Sequence, residues 1–266
     1  MLLSLYAVWL VVACSFQTQI LFPGATAWNT LTRPTDRPGP AWERWALERP
    51  DGAKGVAWFR PAEYSGTHAP AAIFFHGNGD IAPNRTDMGD VYSAMGVHTL
   101  LVEYPGYDES QGVPGEAAIV EDALLALDRL LEREDVDPGR LIFHGHSIGG
   151  GAAAQLAARR TPAVLILEST FTSMRAMVRR YLVPTAVLRH PFDTMGVLET
   201  LAAPVLVMHG DLDVIIFPVH AERNARAARD ATLVRFPSYG HDGCYLAPNY
   251  PDVLADFLRT HAIIDE

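Results

Sequence analysis

The chain has 266 residues, of which 49% are hydrophobic and 20% are charged, and its formal net charge is −10. This composition is too apolar and too rich in aromatic side chains for a disordered protein, and the excess of negative charge argues against a nucleic acid as partner. Two cysteines without a C-x-x-C pair supply neither a disulfide framework nor a zinc site, and the length suits one large α/β domain.

The N-terminus, Met1 to Phe16, is almost entirely apolar, and the first charged residue is Arg33. Its length falls between the apolar core of a secretory signal, about 7–15 residues, and a membrane-spanning helix, roughly 17–25 residues. Residues 1–22 are therefore predicted to be a hydrophobic anchor or an export signal, which places the protein in a membrane or in the periplasm and cell envelope. A lipidated Cys14 is a third possibility. A buried core helix is disfavoured, since the segment has no polar face for solvent.

Residues 23–40 are rich in proline, have no apolar period and are predicted to be a linker. Residues 41–266 are predicted to form the catalytic domain. Trp42–Leu47 and Lys54–Arg60 flank a Pro-Asp-Gly turn, which predicts an opening β-hairpin.

Short apolar runs then alternate with helical patterns. Runs that are apolar on both faces predict strands covered on both sides, and hence a mostly parallel sheet with helices above and below. The predicted strands are Ala71–Phe75, Thr99–Glu103, Leu141–Phe143, Val164–Leu167, Val205–Met208 and Thr232–Phe236. The predicted helices are Glu116–Leu131, Gly149–Arg159 and Asn249–Ile264.

The pentapeptide Gly145-His146-Ser147-Ile148-Gly149 lies between a predicted strand and a predicted helix. A G-x-S-x-G sequence in this position is typical of a nucleophile elbow, because its glycines permit a turn too tight for side chains and expose the serine hydroxyl. The N-terminus of the following helix adds partial positive charge where an oxyanion would form. We therefore predict that Ser147 is a nucleophile, the alternative being an ordinary glycine-rich loop.

A serine nucleophile needs a general base and a carboxylate that orients this base. In this type of sheet the acid precedes the histidine in the chain, and both lie where strands end at their carboxyl ends. His241 follows the last predicted strand and is the predicted base. Asp213 is the predicted acid, since it lies farther into its loop than Asp211, which is the alternative and is more typical of a turn cap.

The segment Phe75-His-Gly-Asn-Gly79 ends a strand in a flexible loop. The backbone amides of Asn78 and Ile148 are predicted to form an oxyanion hole, with a plain glycine turn as the alternative. His146, beside the serine, is predicted to face away from it.

Several motifs in this order extend along nearly the whole chain, and together they resemble the α/β-hydrolase fold and, within it, the Bem46-like group of abhydrolase-domain-containing proteins. They are Phe16-Gln-Thr-Gln-Ile-Leu-Phe-Pro23, Phe75-His-Gly-Asn-Gly79, Glu103-Tyr-Pro-Gly-Tyr107, Gly145-His-Ser-Ile-Gly149, Leu167-Glu-Ser-Thr-Phe-Thr-Ser173, His209-Gly-Asp-Leu-Asp213 and Gly240-His241.

The resemblance implies an α/β-hydrolase fold with Ser147, Asp213 and His241 as a catalytic triad. Gly77 and Tyr107 are the residues expected to bind substrate. The chain departs from the group at Asp108 and at Asp80, both near the expected mouth of the site, so the resemblance carries no substrate preference.

The stretch 173–197 occupies the place where this fold often inserts a lid, and its length of about 25 residues implies a short lid and an open site. Four arginines and one aspartate give it a charge of +3, which predicts a solvated helix face or, alternatively, contact with an anionic membrane. The charged residues are Arg175, Arg179, Arg180, Arg189 and Asp193.

These features predict a serine hydrolase that cleaves carboxylic esters or thioesters of small-molecule or lipid-like acyl substrates, through an acyl-enzyme on Ser147. A serine at the elbow argues against the aspartate-dependent dehalogenases and epoxide hydrolases of the same fold. No metal and no organic cofactor is implied. The alternatives are a peptidase or amidase of the same fold and a catalytically silent binding protein.

Overall fold

The structure is a computed structural model that describes residues 2–25, 38–63 and 66–265. Most of the predicted linker, at 26–37, lies outside these residues. Among the residues that the structure describes, no helix combines the length and the apolarity that crossing a membrane requires.

An eight-stranded sheet forms the centre of the molecule. Its strands are β1 (Glu43–Glu48), β2 (Lys54–Arg60), β3 (Ala69–Phe75), β4 (His98–Val102), β5 (Val136–His146), β6 (Val164–Glu168), β7 (Val205–Gly210) and β8 (Ala231–Phe236). Their order is β1-β2-β4-β3-β5-β6-β7-β8, and only the β1–β2 and β2–β4 pairs are antiparallel. The predicted hairpin and the mostly parallel sheet are thus confirmed.

Helices pack against both faces of this sheet and over the cavity at its carboxyl edge. They are α1 (Leu2–Ser15), α2 (Gln17–Leu21), α3 (Thr86–Ser93), α4 (Glu116–Leu131), α5 (Ile148–Ala157), α6 (Met174–Val178), α7 (Thr194–Leu198), α8 (Val219–Ala227) and α9 (Tyr250–Thr260). Helix α4 has the bounds that its apolar period predicts. Helices α3 and α8 are not in the prediction, because the first contains a glycine and few apolar residues and the second is mostly polar.

Alternate residues of the central strands point to opposite faces of the sheet and belong to two separate hydrophobic cores. Ile73 and Phe75 point into the core under α4 and α5, whereas Phe74 points into the core under α3 and α9. This packing fixes the sheet between two layers of helices, and it brings the carboxyl ends of β3, β5, β7 and β8 to one edge. The stretch 173–197 over this edge contains only α6, most of α7 and two short 3-10 turns.

Candidate active site

A strained turn between β5 and α5 carries Ser147, which is only 8% exposed and lines a cavity. Its backbone has φ 56° and ψ −120°, a conformation that residues other than glycine rarely adopt. The turn is also too tight for side chains. A Cβ atom on Gly145 would collide with the backbone of Gly149, and a Cβ atom on Gly149 would collide with the carbonyl of Phe75. The predicted role of the two glycines in the turn is therefore visible in its geometry.

The structure brings Ser147, His241 and Asp213 into one chain of hydrogen bonds. His241 Nε2 lies 2.9 Å from Ser147 Oγ, and His241 Nδ1 lies 2.7 Å from Asp213 Oδ2. With the ring proton on Nδ1, the imidazole donates to the carboxylate and accepts from the hydroxyl. The three residues follow β5, β8 and β7, at the carboxyl edge of the sheet.

The Asp213 carboxylate is buried and accepts several hydrogen bonds. The amides of Ile215 and Ile216 donate to its Oδ1 at 2.9 and 2.8 Å, and His209 Nε2 lies 3.1 Å from its Oδ2. Burial alone would raise the pKa of Asp213, but the hydrogen bonds from His209 and His241 lower this pKa well below its usual value. The group is therefore ionised and fixed in direction. Asp211, the alternative acid, instead forms an ion pair with Arg235.

Two residues of the cavity carry the backbone amides that are predicted to form the oxyanion hole. Asn78 and Ile148 both line the cavity that contains Ser147, and neither amide donates a hydrogen bond to any group in the described ranges. Amides left free in this way are available to a negatively charged oxygen.

The loop that carries Asn78 is held from behind by aromatic hydroxyls. Tyr107 donates to the Asn78 carbonyl at 2.8 Å, and Tyr104 donates to the His76 carbonyl at 2.6 Å. His76 Nε2 lies 3.0 Å from Glu103 Oε1; burial alone would lower the pKa of His76, but the Glu103 carboxylate raises it. The loop is thus rigidly supported.

Two expectations about neighbouring side chains need correction. Gly77 lines the cavity, but Tyr107 is fully buried behind the loop and does not reach the cavity, because its hydroxyl is drawn to the Asn78 carbonyl. His146 does not face away from the site. It lines the cavity, its ring lies 5.2 Å from the His241 ring, and its Nε2 lies 3.1 Å from the His241 carbonyl oxygen.

Sequence reasoning missed a buried carboxylate behind the serine. The Glu168 carbonyl accepts the Ser147 amide at 2.9 Å, and its carboxylate accepts the Tyr250 hydroxyl at 2.8 Å. Burial would raise the pKa of Glu168, but the His144 ring, with Nε2 3.5 Å from the carboxylate, and the charges of nearby groups, Arg85 among them, lower it to about 2. The sequence carried two signals, an acidic residue at the end of an otherwise apolar strand and the place of this residue in the motif Leu167-Glu-Ser-Thr-Phe-Thr-Ser173.

The cavity over Ser147 has a volume of about 710 Å³, within the usual range for small-molecule sites. Apolar side chains from three segments line most of it. The α6 side contributes Met174, Met177, Val178, Tyr181, Val183 and Leu188; the N-terminal helices contribute Trp9, Ala13, Ile20 and Leu21; the loop after β7 contributes Ile215 and Ile216.

One cluster in the described ranges has potential metal ligands within 4.8 Å of one another, namely His146, His241 and Asp242. Both ring nitrogens of His241 already have partners in Ser147 and Asp213. The cluster is therefore better explained by these hydrogen bonds than by a metal.

Comparison with known proteins gives matches over most of the chain. A sequence profile of the prolyl oligopeptidase family, Peptidase_S9, matches residues 115–258. An uncharacterised protein of Mycobacterium tuberculosis is 32% identical over 85% of this chain and 83% of its own length. Protein bem46 of Schizosaccharomyces pombe is 29% identical over 73% of this chain and 69% of its own length.

A relative from Danio rerio, lysophosphatidylserine lipase ABHD12, is 28% identical over 78% of this chain, which spans only 62% of that protein. Among solved structures, Est1E from Butyrivibrio proteoclasticus superposes with a TM-score of 0.66 at 17% identity, over 82% of this chain and 98% of that one. These matches confirm the α/β-hydrolase fold and the resemblance to the Bem46-like group.

Proposed function

Because this chain belongs to the prolyl oligopeptidase family of α/β hydrolases, we propose that it is a serine hydrolase that cleaves carboxylic esters or thioesters. The observation that carries the proposal is the chain of hydrogen bonds from Ser147 through His241 to Asp213, with distances of 2.9 and 2.7 Å. At the first distance a general base can remove a proton from a nucleophile, and at the second a carboxylate can orient that base.

In the first half of the reaction, His241 Nε2 takes the hydroxyl proton as Ser147 Oγ attacks the carbonyl carbon. The carbonyl oxygen becomes an oxyanion, which accepts hydrogen bonds from the amides of Asn78 and Ile148. His241 then gives its proton to the leaving alcohol or thiol, and the acyl group remains on Ser147. In the second half, His241 Nε2 takes a proton from a water molecule whose oxygen attacks the acyl carbon. The bond between the acyl carbon and Ser147 Oγ then breaks, Oγ receives the proton from His241, and the carboxylic acid leaves.

The lining of the cavity supports an apolar acyl group. Its side chains are mostly aliphatic, aromatic or methionine, and the charged groups lie around Asp80, Arg85 and Asp242. The Danio rerio relative carries the name of a lysophosphatidylserine lipase, which extends the proposed substrates to esters of lipids.

Labelling with a fluorophosphonate tests the serine nucleophile directly. We expect the probe to modify Ser147, to fail with Ser147→Ala, and to react much more slowly with His241→Ala. Ser238→Ala is the matched control, because Ser238 is an exposed serine in the loop before His241. A protein that is folded and remains unlabelled would instead support the catalytically silent binding protein.

A peptidase of the same fold is the second candidate. Two observations favour it, the family profile itself and a match to the acylaminoacyl peptidase of Pyrococcus horikoshii, with a TM-score of 0.68 at 14% identity. This match covers 85% of the present chain but only 42% of the peptidase. The rates of hydrolysis of acyl esters and of aminoacyl anilides, measured side by side, separate the two candidates. We expect turnover of the esters and not of the anilides.

We also propose that residues 1–22 attach the catalytic domain, 41–266, to a membrane. Helix α1 is apolar around its whole circumference, and large side chains on its outer surface are exposed to solvent, among them Leu5 and Val8. An exposed apolar surface of this kind is typical of a lipid or protein contact. Of the predicted linker at 23–40, the first residues contact the domain, since the Gly24 amide donates to the Asn78 carbonyl, and residues 26–37 lie outside the described ranges.

A further inference from the structure

One face of the N-terminal helices looks into the cavity over Ser147. Trp9, Ala13, Gln17 and Leu21 recur at intervals of four residues, which places them on one side of a helix, and all four line the cavity. The amide of Ile20 donates to the carbonyl of residue 16 at 2.9 Å, so that helical bonding continues across the break between α1 and α2.

Hydrogen bonds to the lid hold this face in place. The indole of Trp9 donates to the Tyr181 carbonyl at 3.1 Å. The buried amide of Gln17 donates to the Val187 carbonyl at 3.1 Å and accepts the backbone amide of Arg189 at 2.6 Å. A buried glutamine with both ends paired to backbone fixes the position of the helix relative to the lid.

The same segment is bonded to the loop beside the serine. The side-chain amide of Asn78 donates to the Leu21 carbonyl at 3.2 Å, and the Gly24 amide donates to the Asn78 carbonyl at 3.3 Å. Between them, Phe22 is fully buried in the main core, with its ring 6.3 Å from that of Phe192. The segment is therefore packed as part of the domain at the edge of the site.

From these contacts we propose that the face formed by Trp9, Ala13, Gln17, Ile20 and Leu21, which we call the N-terminal wall, binds the acyl chain of the substrate and sets the chain length that the pocket accepts. The inference rests on the proposed serine hydrolase function and deepens it.

The reaction geometry assigns the acyl chain to this side of the pocket. The leaving group must receive its proton from His241, so it lies on the His241 side of Ser147. The N-terminal wall adjoins Asn78 instead, on the side of the proposed oxyanion hole. An apolar chain that extends away from His241 therefore meets the N-terminal wall and the apolar side chains of the lid.

Two substitutions change the size of the pocket in opposite directions. Ala13→Phe places a ring where the Ala13 side chain is 6% exposed and faces the cavity, and Trp9→Ala removes a ring. Val11→Phe is the matched control for the first, because Val11 is 65% exposed on the outer surface of the same helix and does not line the cavity. The readout is kcat/KM on nitrophenyl esters from acetate to palmitate.

We expect the ratio of long-chain to short-chain kcat/KM to fall at least about tenfold in Ala13→Phe and to rise in Trp9→Ala, since single methylenes already change such ratios about tenfold or more. In Val11→Phe the ratio should equal that of the unmodified protein. Identical chain-length profiles in the first two variants, with fluorophosphonate labelling intact, would overturn the N-terminal wall while leaving the serine hydrolase proposal standing. Absence of fluorophosphonate labelling in the unmodified protein would overturn both the N-terminal wall and the serine hydrolase proposal.

Discussion

The imidazole of His241 and the carboxylate of Asp213 are joined by a 2.7 Å hydrogen bond, and the carboxylate end of this bond is almost completely buried. Two backbone amides, those of Ile215 and Ile216, hold the second oxygen of the same carboxylate. The direction of the imidazole is therefore fixed by backbone that belongs to the loop after β7, and not only by the carboxylate that accepts its hydrogen bond.

Replacing Asp213 by Asn tests this arrangement. Asparagine keeps the shape and can still accept the two backbone amides, but its NH2 group favours the wrong tautomer of His241. We expect kcat on an ester substrate to fall by about 10⁴-fold, with the stability nearly retained. Asp211→Asn is the control, because Asp211 is paired with Arg235 and should leave kcat within a few-fold. A larger loss of kcat in Asp211→Asn than in Asp213→Asn would show that Asp211, and not Asp213, is the acid of the triad.

The tight turn around the serine predicts that alanine substitutions at Gly149 and at Gly79 differ sharply in their effect on stability. A Cβ atom on Gly149 would collide with the backbone carbonyl of Phe75, and neither group has room to move, whereas a Cβ atom on Gly79 meets nothing within 4 Å. We expect Gly149→Ala to lower the free energy of unfolding by at least about 2 kcal/mol and to abolish fluorophosphonate labelling. Gly79→Ala should change the urea midpoint little and remain labelled. Equal midpoints for the two variants would contradict the close approach of strand and helix.

Much of this site could be predicted from local patterns. Strands buried on both faces are continuous apolar runs, and the elbow needs glycines at fixed spacing, so β3 to β8 and the position of Ser147 follow from short windows of sequence. The order of acid and histidine along the chain then limits the candidates for the base and the acid to a few residues.

Long-range packing decided what the sequence could not predict. The hydrogen bond from Trp9 to the Tyr181 carbonyl joins residues 172 positions apart, and no local pattern carries that contact. In the same way, the hydrogen bond from the Tyr107 hydroxyl to the Asn78 carbonyl joins residues 29 positions apart. The polar helix α8 lacks the apolar period that would have predicted it, because its buried side consists of His220, Ala221 and Asn224.

The buried carboxylate of Glu168 predicts a pH dependence of stability. Its pKa of about 2 in the folded protein lies below the ordinary value of 4.5, so its charge stabilises the fold above about pH 4.5, and this contribution is lost as the pH falls toward 2. Glu168→Gln removes the contribution. We expect the free energy of unfolding of the variant to be lower by about 2–3 kcal/mol near neutral pH, and the difference to shrink progressively below pH 4.5.

Urea unfolding at a series of pH values measures this difference. Glu121→Gln on the exposed side of α4 is the control and should stay within about 0.5 kcal/mol of the unmodified protein at every pH. A difference between Glu168→Gln and the unmodified protein that grows on acidification would show that Glu168 is protonated in the folded state, contrary to the ionised group described above.

Reversal of the positive charge on the lid tests the proposed membrane contact. Arg175 and Arg179 are exposed on or beside α6, next to the mouth of the cavity, so both would face an anionic bilayer on which the N-terminal helix rests. Each basic group near such a surface contributes about 1 kcal/mol of attraction. Arg175→Glu combined with Arg179→Glu should therefore reduce cosedimentation with phosphatidylserine vesicles at least about tenfold.

Arg226→Glu with Arg229→Glu makes the same change of charge at the opposite edge of the sheet and should leave vesicle binding unchanged. Equal sedimentation of the two double variants would mean that these arginines form an ordinary solvated helix face.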